Sequence, residues 1–484
     1  MSSGVTRREF LGATAAGGLL LAGGLAARPM QAAEASGWPA LPPVKIHVVY
    51  LGTGGAWPKP EFDAPAEVRK FEAYLAGVAQ RLGDVTFVGG QLIHNVDAEA
   101  RQVAAQLGDA DAVLIVHLSF GNARPFLEFL NTGLPVAIFS QPFSGHDWMY
   151  VPAMQRAGKR VVLAASSDYA DIDRIVALLR VPVRMRQSRI LLVGTPAGTP
   201  AACVPEQIKQ LTGVELVSID VPTVVAAHQT IERAEAEAEA EQYWLTPAQK
   251  IVEPTREEII KSAAMYLALK KLMIQHAARA VTIRCLGGIP IETLGYPCLA
   301  FSKLCDLGLV GACEADIDST LTMLMFAYAF GIPGFISDPL FDTSQNAVIH
   351  AHCVAPTKMD GPHSPRAPFQ LRNHRDDNKG ASLEVFLEKG REITCAKLVN
   401  LDTLLISTGT IIDIPDFDDR GCRTQITTRV PDARAMLTNW GGGVIETDDM
   451  MTLLHRVVFY GNRLDSMRDL AYLMGLRVVA EAGG

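Results

Sequence analysis

Three carboxylates stand close together where a short apolar run leads into a stretch rich in Leu and Met. They are Glu314, Asp316 and Asp318, within Gly311–Leu321. Capping explains one acidic residue at a helix start, because its side chain accepts backbone N–H bonds and meets the positive end of the helix dipole. It does not explain three. Since carboxylate oxygens are the ligands that hard divalent cations prefer, the surplus predicts a metal.

Other residues of ligand type lie further along the chain. Glu292 follows a predicted strand, and if this strand and the one before Asp316 are neighbours in one sheet, both residues lie at the same edge. His350 and His352 share one face of a predicted strand, because side chains alternate along a strand. His455 stands alone in an apolar run near the C-terminus. On spacing alone, a structural role for His455 is the alternative.

Two loops in the first part of the chain combine aromatic and polar residues. Gly52–Gly55 follows the first predicted strand and is succeeded by Trp57, and Gln141–Trp148 follows another strand. The chain has neither G-x-G-x-x-G in the first loop nor a Walker pattern anywhere, so a nucleotide site is not expected. Ligands bind at strand C-termini in open α/β sheets. Trp57, His146 and Trp148 are therefore candidate contacts to a sugar-like ligand, with a tight turn and a packed loop as the alternatives.

A family resemblance joins several of these segments. Cys313–Asp316, followed by its Leu/Met-rich helix, resembles the core motif of the L-fucose isomerase family and its L-arabinose isomerase relatives. Glu292 lies 24 residues before Asp316, which is similar to the spacing of the family's two metal carboxylates. His455 with Tyr460-Gly461-Asn462 resembles the C-terminal histidine motif, although that family usually has an acid where Asn462 stands. The likeness covers roughly residues 285–480.

The resemblance implies a divalent-metal-dependent aldose–ketose isomerase that acts on a carbohydrate through an enediolate. It makes Glu292, Asp316 and His455 the metal ligands, Glu292 and Asp316 the proton-transfer groups, and Mn²⁺ the expected ion. Glu314 and His352 join the substrate-binding candidates. A homo-oligomer, trimer or hexamer, is also implied. Two alternatives stay open: an enzyme of this fold that cleaves or eliminates at a glycosidic linkage, and a periplasmic sugar-binding protein.

The elements that must position these residues follow two patterns. Short apolar strands alternate with amphipathic helices over residues 45–188 and again over 189–345, which predicts two α/β domains with parallel sheets. Over residues 346–484, strands follow one another without long helices between them, which predicts a β-rich C-terminal domain. The expected fold class is α/β, with two parallel-sheet domains followed by a mostly β domain.

The first 35 residues have the pattern of an export signal. Arg7-Arg8 precedes the apolar stretch Ala13–Ala27, and Ala33-Glu34-Ala35 offers a cleavage site. The paired arginines resemble a bacterial twin-arginine signal. The apolar stretch is shorter than the roughly 20 residues that span a bilayer, although a membrane anchor is the alternative. We expect a periplasmic protein that engages the twin-arginine translocation machinery and has no stable membrane insertion.

Composition excludes several classes of protein. The chain has 484 residues, and 49% of them are hydrophobic, a fraction too high for a disordered chain. Its net charge of −8 argues against a nucleic-acid partner, because such proteins have a basic surface. Removal of residues 1–35 takes away three arginines and two glutamates, leaving 449 residues with a net charge of −9. The eight cysteines form no C-x-x-C pair, so we expect buried thiols, with one or two disulfides as the alternative.

Overall fold

A computed structural model of the protein describes residues 37–53, 57–94, 96–119, 124–415 and 421–482. The predicted export signal at residues 1–35 lies outside these ranges. Within them, no helix is both long enough and apolar enough to cross a membrane. All eight cysteines are free thiols.

The first sheet has five parallel strands in the order β2-β1-β3-β4-β5. Alternate residues of β1 belong to two separate apolar clusters, so helices cover both faces of the sheet. The strands are β1 (Val44–Leu51), β2 (Val85–Ile93), β3 (Ala112–His117), β4 (Val136–Ser140) and β5 (Val161–Ala165). The helices are α1 (Ala64–Leu82), α2 (Asp97–Ala104), α3 (Arg124–Leu130), α4 (Val151–Arg156), α5 (Ala170–Leu179) and α6 (Val181–Arg186).

The second sheet has four parallel strands in the order β7-β6-β8-β9. They are β6 (Arg189–Val193), β7 (Glu215–Ile219), β8 (Ala280–Ile283) and β9 (Val310–Ala312). The helices are α7 (Pro205–Thr212), α8 (Val221–Gln229), α9 (Arg233–Ala240), α10 (Arg256–Gln275), α11 (Cys285–Gly288), α12 (Ile291–Leu294), α13 (Cys298–Asp306) and α14 (Ile317–Phe330). Every residue of α14 is buried, which explains why its apolar residues surround the helix instead of forming one stripe.

The third sheet has seven strands in the order β14-β17-β10-β11-β16-β15-β18, and a further pairing of β14 with β15 closes six of them into a ring. A closed ring leaves no unpaired edge among those six strands. Its strands are β10 (Phe335–Asp342), β11 (Ala347–His352), β14 (Glu392–Val399), β15 (Thr403–Asp413), β16 (Thr424–Arg429), β17 (Arg456–Tyr460) and β18 (Arg477–Ala480). A separate hairpin pairs β12 (Phe369–Arg372) with β13 (Ser382–Val385), and the helices here are α15 (Ala433–Thr438), α16 (Met450–Leu454) and α17 (Leu464–Met474).

The predicted fold class is confirmed. Two parallel sheets with flanking helices precede a mostly β region, in which all the strand pairs except β15–β18 are antiparallel. The third sheet includes β10, which lies before residue 346. This strand matters for the site, because it pairs with β17 next to His455.

Candidate metal centre

A strained loop joins β9 to α14. Glu314 and Ala315 have φ values of 60° and 59°, in the left-handed region that residues with a side chain rarely adopt. The loop is fixed from the second sheet, because the Ala197 N–H donates to the Ala315 carbonyl and the Ile317 N–H donates to the Ala197 carbonyl, each at 2.9 Å. Backbone strain of this kind persists where the surroundings hold it, and it is concentrated at functional sites.

Two carboxylates from distant parts of the chain meet at one nitrogen of His455. The Nε2 atom of His455 lies 3.4 Å from Glu314 Oε2 and 3.3 Å from Asp338 Oδ1. The third sheet sets the second of these contacts: Ser337 of β10 pairs with Arg456 of β17, so the next residues outward are Asp338 and His455. The His455 side chain is entirely buried, whereas 28% of the Asp338 side chain is exposed.

Asp316 contacts the other ring nitrogen of His455, Nδ1. Its Oδ2 atom lies 2.9 Å from His455 Nδ1 and accepts hydrogen bonds from Lys397 Nζ at 3.0 Å and Ser319 Oγ at 2.7 Å. Lys397 is itself fully buried and donates to two backbone carbonyls of α16. With Nδ1–H donating to a carboxylate, the neutral imidazole presents the lone pair of Nε2 toward Glu314 and Asp338. This is the carboxylate–histidine arrangement that orients metal ligands.

His352 approaches the same cluster in the other tautomer. Its Nδ1 atom accepts a hydrogen bond from the backbone N–H of Cys353 at 2.8 Å, so the neutral ring carries its proton on Nε2. That nitrogen lies 3.8 Å from Glu314 Oε1. The ring centroids of His352 and His455 are 5.7 Å apart. His352 therefore contributes a hydrogen-bond donor to the cluster, whereas His455 contributes a lone pair.

The atoms that converge here fit a divalent cation. Asp338 Oδ1, His352 Nε2 and His455 Nε2 are buried and have no hydrogen-bond partner among the described residues, a costly arrangement without a ligand. The ligand atoms of Asp338, His352 and His455 all lie within 4.8 Å of one another, as do those of Cys313, Glu314 and His352. Bonds of about 2.0–2.2 Å from oxygen and nitrogen to one ion place ligand atoms about 3–4 Å apart. Two carboxylates and an imidazole are suitable ligands for such an ion.

The electrostatics of the cluster keep its acids ionised. Burial opposes ionisation of Glu314 and Asp338, but the two histidines outweigh it and hold the pKa of each carboxyl below its usual range. Burial likewise acts to lower the pKa of His455, yet its hydrogen bond to Asp316 and the neighbouring carboxylates of Asp338 and Glu314 raise that pKa well above the usual range. Binding of a divalent ion at Nε2 would therefore displace a proton from His455.

A cavity of about 610 Å³ opens beside the cluster. Asp338 is the cluster residue that lines it, together with Ala351 on β11 and Leu454 at the end of α16. Polar side chains on a loop between β12 and β13 form another wall, namely Arg375, Asp376 and Asn378. The volume is typical of pockets that bind small molecules.

The structure brings together four of the predicted site residues, Asp316, His455, Glu314 and His352, but Glu292 lies elsewhere. Glu292 is in the short helix α12, its side chain is 79% exposed, and its carboxylate accepts a hydrogen bond from Lys379 Nζ at 2.7 Å. This ion pair holds the pKa of Glu292 below its usual range. Its predicted role as a metal ligand and proton-transfer group stays a prediction.

The aromatic candidates lie at the carboxyl edge of the first sheet. Trp57 Nε1 donates to the Ser144 carbonyl at 3.2 Å, and the ring centroids of Trp57 and His146 are 6.2 Å apart. Trp148 lies in a 3₁₀ turn, Asp147–Tyr150, and its side chain is exposed. These residues form a surface of their own on the first sheet, and their predicted contact with a sugar stays a prediction.

Asp338 was missed by sequence reasoning. It lies in Phe335-Ile336-Ser337-Asp338-Pro339, an apolar run interrupted by polar residues. A signal was present, because an acid within a strand-like segment that leads toward His350 and His352 is a candidate ligand. Its partner His455 is more than a hundred residues away, so only the pairing of β10 with β17 reveals the contact.

Comparison with protein-family models and with curated proteins finds no match to this chain. The resemblance to sugar isomerases therefore stays a prediction from the motifs, and the site is interpreted from its own geometry and chemistry.

Proposed function

We propose that this protein is a divalent-metal-dependent enzyme of the aldose–ketose isomerase type, acting on a carbohydrate. The observation that carries the proposal is the meeting of the Glu314 and Asp338 carboxylates at Nε2 of the buried His455, at 3.4 and 3.3 Å. The motif Cys313–Asp316 and the histidine near the C-terminus, from which the resemblance was drawn, both contribute to this cluster.

Glu314, Asp338 and His455 are the residues we propose to hold the ion, with Mn²⁺ the expected metal. This set differs from the one implied by the resemblance, because Asp316 lies behind His455 and Glu292 is paired with Lys379. Three protein ligands leave coordination positions open for substrate oxygens. When bound, a divalent ion acts as a Lewis acid toward those oxygens and stabilises negative charge that develops on them.

The remaining side chains would orient the substrate and move protons. His352, with its proton on Nε2, is placed to donate a hydrogen bond to a substrate hydroxyl or carbonyl oxygen beside Glu314. Asp338 lines the cavity and is the cluster carboxylate best placed to accept a proton from a substrate carbon or hydroxyl. Asp316 is unsuited to proton transfer, because three donors engage its Oδ2 and it is entirely buried.

The test begins with the metal content of the purified full-length protein and of a His455→Gln variant. We expect about one equivalent of divalent metal in the first and less than a tenth of that in the second. Both proteins are then incubated with a panel of free aldoses and of glycosides in the presence of Mn²⁺. Ketose formation by the first protein alone supports the proposal.

Two other outcomes would favour one of the two alternative functions. Release of a monosaccharide from a glycoside would favour cleavage at a glycosidic linkage, with the same metal requirement. Sugar binding without turnover, and without any dependence on metal, would contradict an enzyme and favour a sugar-binding protein. Export through the twin-arginine route and assembly into a trimer or hexamer are further proposals, tested by cell fractionation and by light scattering.

A further inference from the structure

A second cavity lies far from the metal centre, at the opposite end of α14. It has a volume of about 200 Å³ and is enclosed by α1, α5, the end of α14 and α17. Asp316 caps the start of α14, whereas Phe330 at its end lines this cavity. Since α14 has 14 residues that rise about 1.5 Å each, the two sites are separated by about 20 Å.

The floor of this cavity is apolar and its walls carry arginines. Leu82, Ala177, Leu178, Ala329 and Phe330 provide the apolar surface. Three arginines line the walls, Arg81, Arg174 and Arg463, against a single lining carboxylate, Asp173.

Two of these arginines already have carboxylate partners. Arg81 pairs with Asp173 at 2.6 Å. Arg174 pairs with Asp469 at 2.5 Å and with Asp171 at 3.0 Å. Neither guanidinium therefore requires a ligand to balance its charge.

Arg463 differs from the other two. No carboxylate among the described residues lies within 4.0 Å of its guanidinium, and its Nε atom is buried without a hydrogen-bond partner. The guanidinium carbon lies 5.1 Å from the centroid of the Phe330 ring. Burial lowers the pKa of Arg463, while the nearby charges of Asp360 and Arg391 act in opposite directions. The charge on Arg463 is therefore partly desolvated and not balanced.

We propose that this cavity binds a small monocarboxylate with a compact apolar body. The carboxylate would pair with Arg463, whose planar guanidinium suits it, and the Ser466 hydroxyl would supply a further donor. The apolar body would rest on Ala177, Leu178 and Phe330. The volume equals that of about seven molecules of liquid water, at about 30 Å³ each, and covalently bonded atoms pack more closely than water molecules, so the cavity suits a small ligand.

The charge available in the cavity favours a ligand with one negative charge, such as a carboxylate, over a phosphate ester with two. A phosphate monoester carries about two negative charges near neutral pH. Only one guanidinium here lacks a carboxylate partner among the described residues, so a single negative charge is matched.

The test uses benzoate as the probe, its neutral analogue benzamide, and inorganic phosphate, each titrated into the full-length protein by calorimetry. We expect benzoate to bind with one-to-one stoichiometry and at least tenfold more tightly than benzamide or phosphate. Arg463→Met should weaken benzoate binding at least tenfold. The matched control is Arg468→Met on α17, the helix that begins directly after Arg463. The Arg468 side chain is 47% exposed and paired with Asp465, so this variant should change binding less than twofold.

A second variant tests the apolar half of the site. Ala177→Leu fills the floor while leaving Arg463 in place, so it should abolish benzoate binding in a protein that still unfolds cooperatively. The proposal is overturned if benzoate and benzamide bind equally, if phosphate binds more tightly than benzoate, or if either cavity variant binds benzoate as the wild-type protein does. Loss of the metal-centre activity would leave these outcomes unaffected, because the two sites share no residue.

Discussion

The Nδ1 atom of His455 lies 2.9 Å from Oδ2 of Asp316, and both side chains are entirely buried. The contact joins the start of α14 to the end of α16, and the Lys397 ammonium lies 3.0 Å from the same carboxylate oxygen. Burial opposes the charge on Asp316, but Lys397 and His455 overcome it and hold its pKa far below the usual range. Asp316 is therefore a fixed anion whose task is to set the tautomer of His455.

Asp316→Asn should weaken metal binding about 10- to 100-fold, the range found when such supporting carboxylates are removed. The neutral amide does not hold the proton on Nδ1 as firmly, and Lys397 loses its anionic partner. Competition with a chelator measures the affinity. Asp465→Asn, at a side chain that is 95% exposed, is the control and should behave as wild type. Unchanged affinity in a folded Asp316→Asn protein would mean that Nε2 of His455 holds no metal.

The two cluster histidines should respond differently to substitution by Gln. His455→Gln removes the proposed ligand and should lower the metal content at least tenfold. His352→Gln removes a donor that points into the cluster, so the protein should keep its metal and lose most of its turnover, about 100-fold for a group that acts in proton transfer or positioning. Metal analysis and product formation are measured on the same preparations.

His350 provides the control for both histidine variants, since it lies on the same strand as His352 but faces Ser337 Oγ at 3.0 Å. His350→Gln should lower stability without altering the metal content of the folded fraction. Loss of metal from the His352 variant would contradict its assignment as a donor, because it would make His352 a ligand.

The fold class followed from local patterns, and so did part of the site. Alternation of strands and helices over residues 45–345 was sufficient to predict two parallel sheets, because each element is encoded within a few neighbouring residues. Glu314 and Asp316 were found in the same way, since their crowding is visible in five residues of sequence. All eight cysteines are free thiols as expected, and six of them are buried, whereas Cys203 and Cys422 are half-buried.

The rest depended on contacts that no local pattern encodes. Asp338 meets His455 only because β10 pairs with β17 in one particular register. Glu314 and Asp316 have different roles because of the strained loop. The loop turns Glu314 toward the cluster, whereas Asp316 accepts a hydrogen bond from Lys397. Glu292 was selected by its spacing from Asp316, but spacing along the chain does not determine how far a short helix projects into solvent.

Glu292→Gln tests the role that the resemblance implies for this residue. Because its side chain is 79% exposed and paired with Lys379, we expect the metal content to stay within twofold of the wild type. Glu257→Gln, at another exposed glutamate paired with a basic residue, is the matched control. A loss of metal confined to the Glu292 variant would restore Glu292 as a ligand and would require the α12 segment to move toward His455.

Asp318 should make the stability of the protein depend on pH. Burial and the charge of Asp316 outweigh the attraction of Lys397 and raise the pKa of Asp318 to about 7. An aspartate in the unfolded chain titrates near pH 3.9, so between about pH 4 and 7 the folded chain holds a proton that the unfolded chain has released. The contribution of Asp318 to the free energy of unfolding therefore falls as the pH rises through this window, by up to about 1.4 kcal/mol per pH unit. Asp318→Asn should remove this slope, and urea unfolding of both proteins at pH 5, 6, 7 and 8 measures it. Parallel profiles for the two proteins would contradict the prediction.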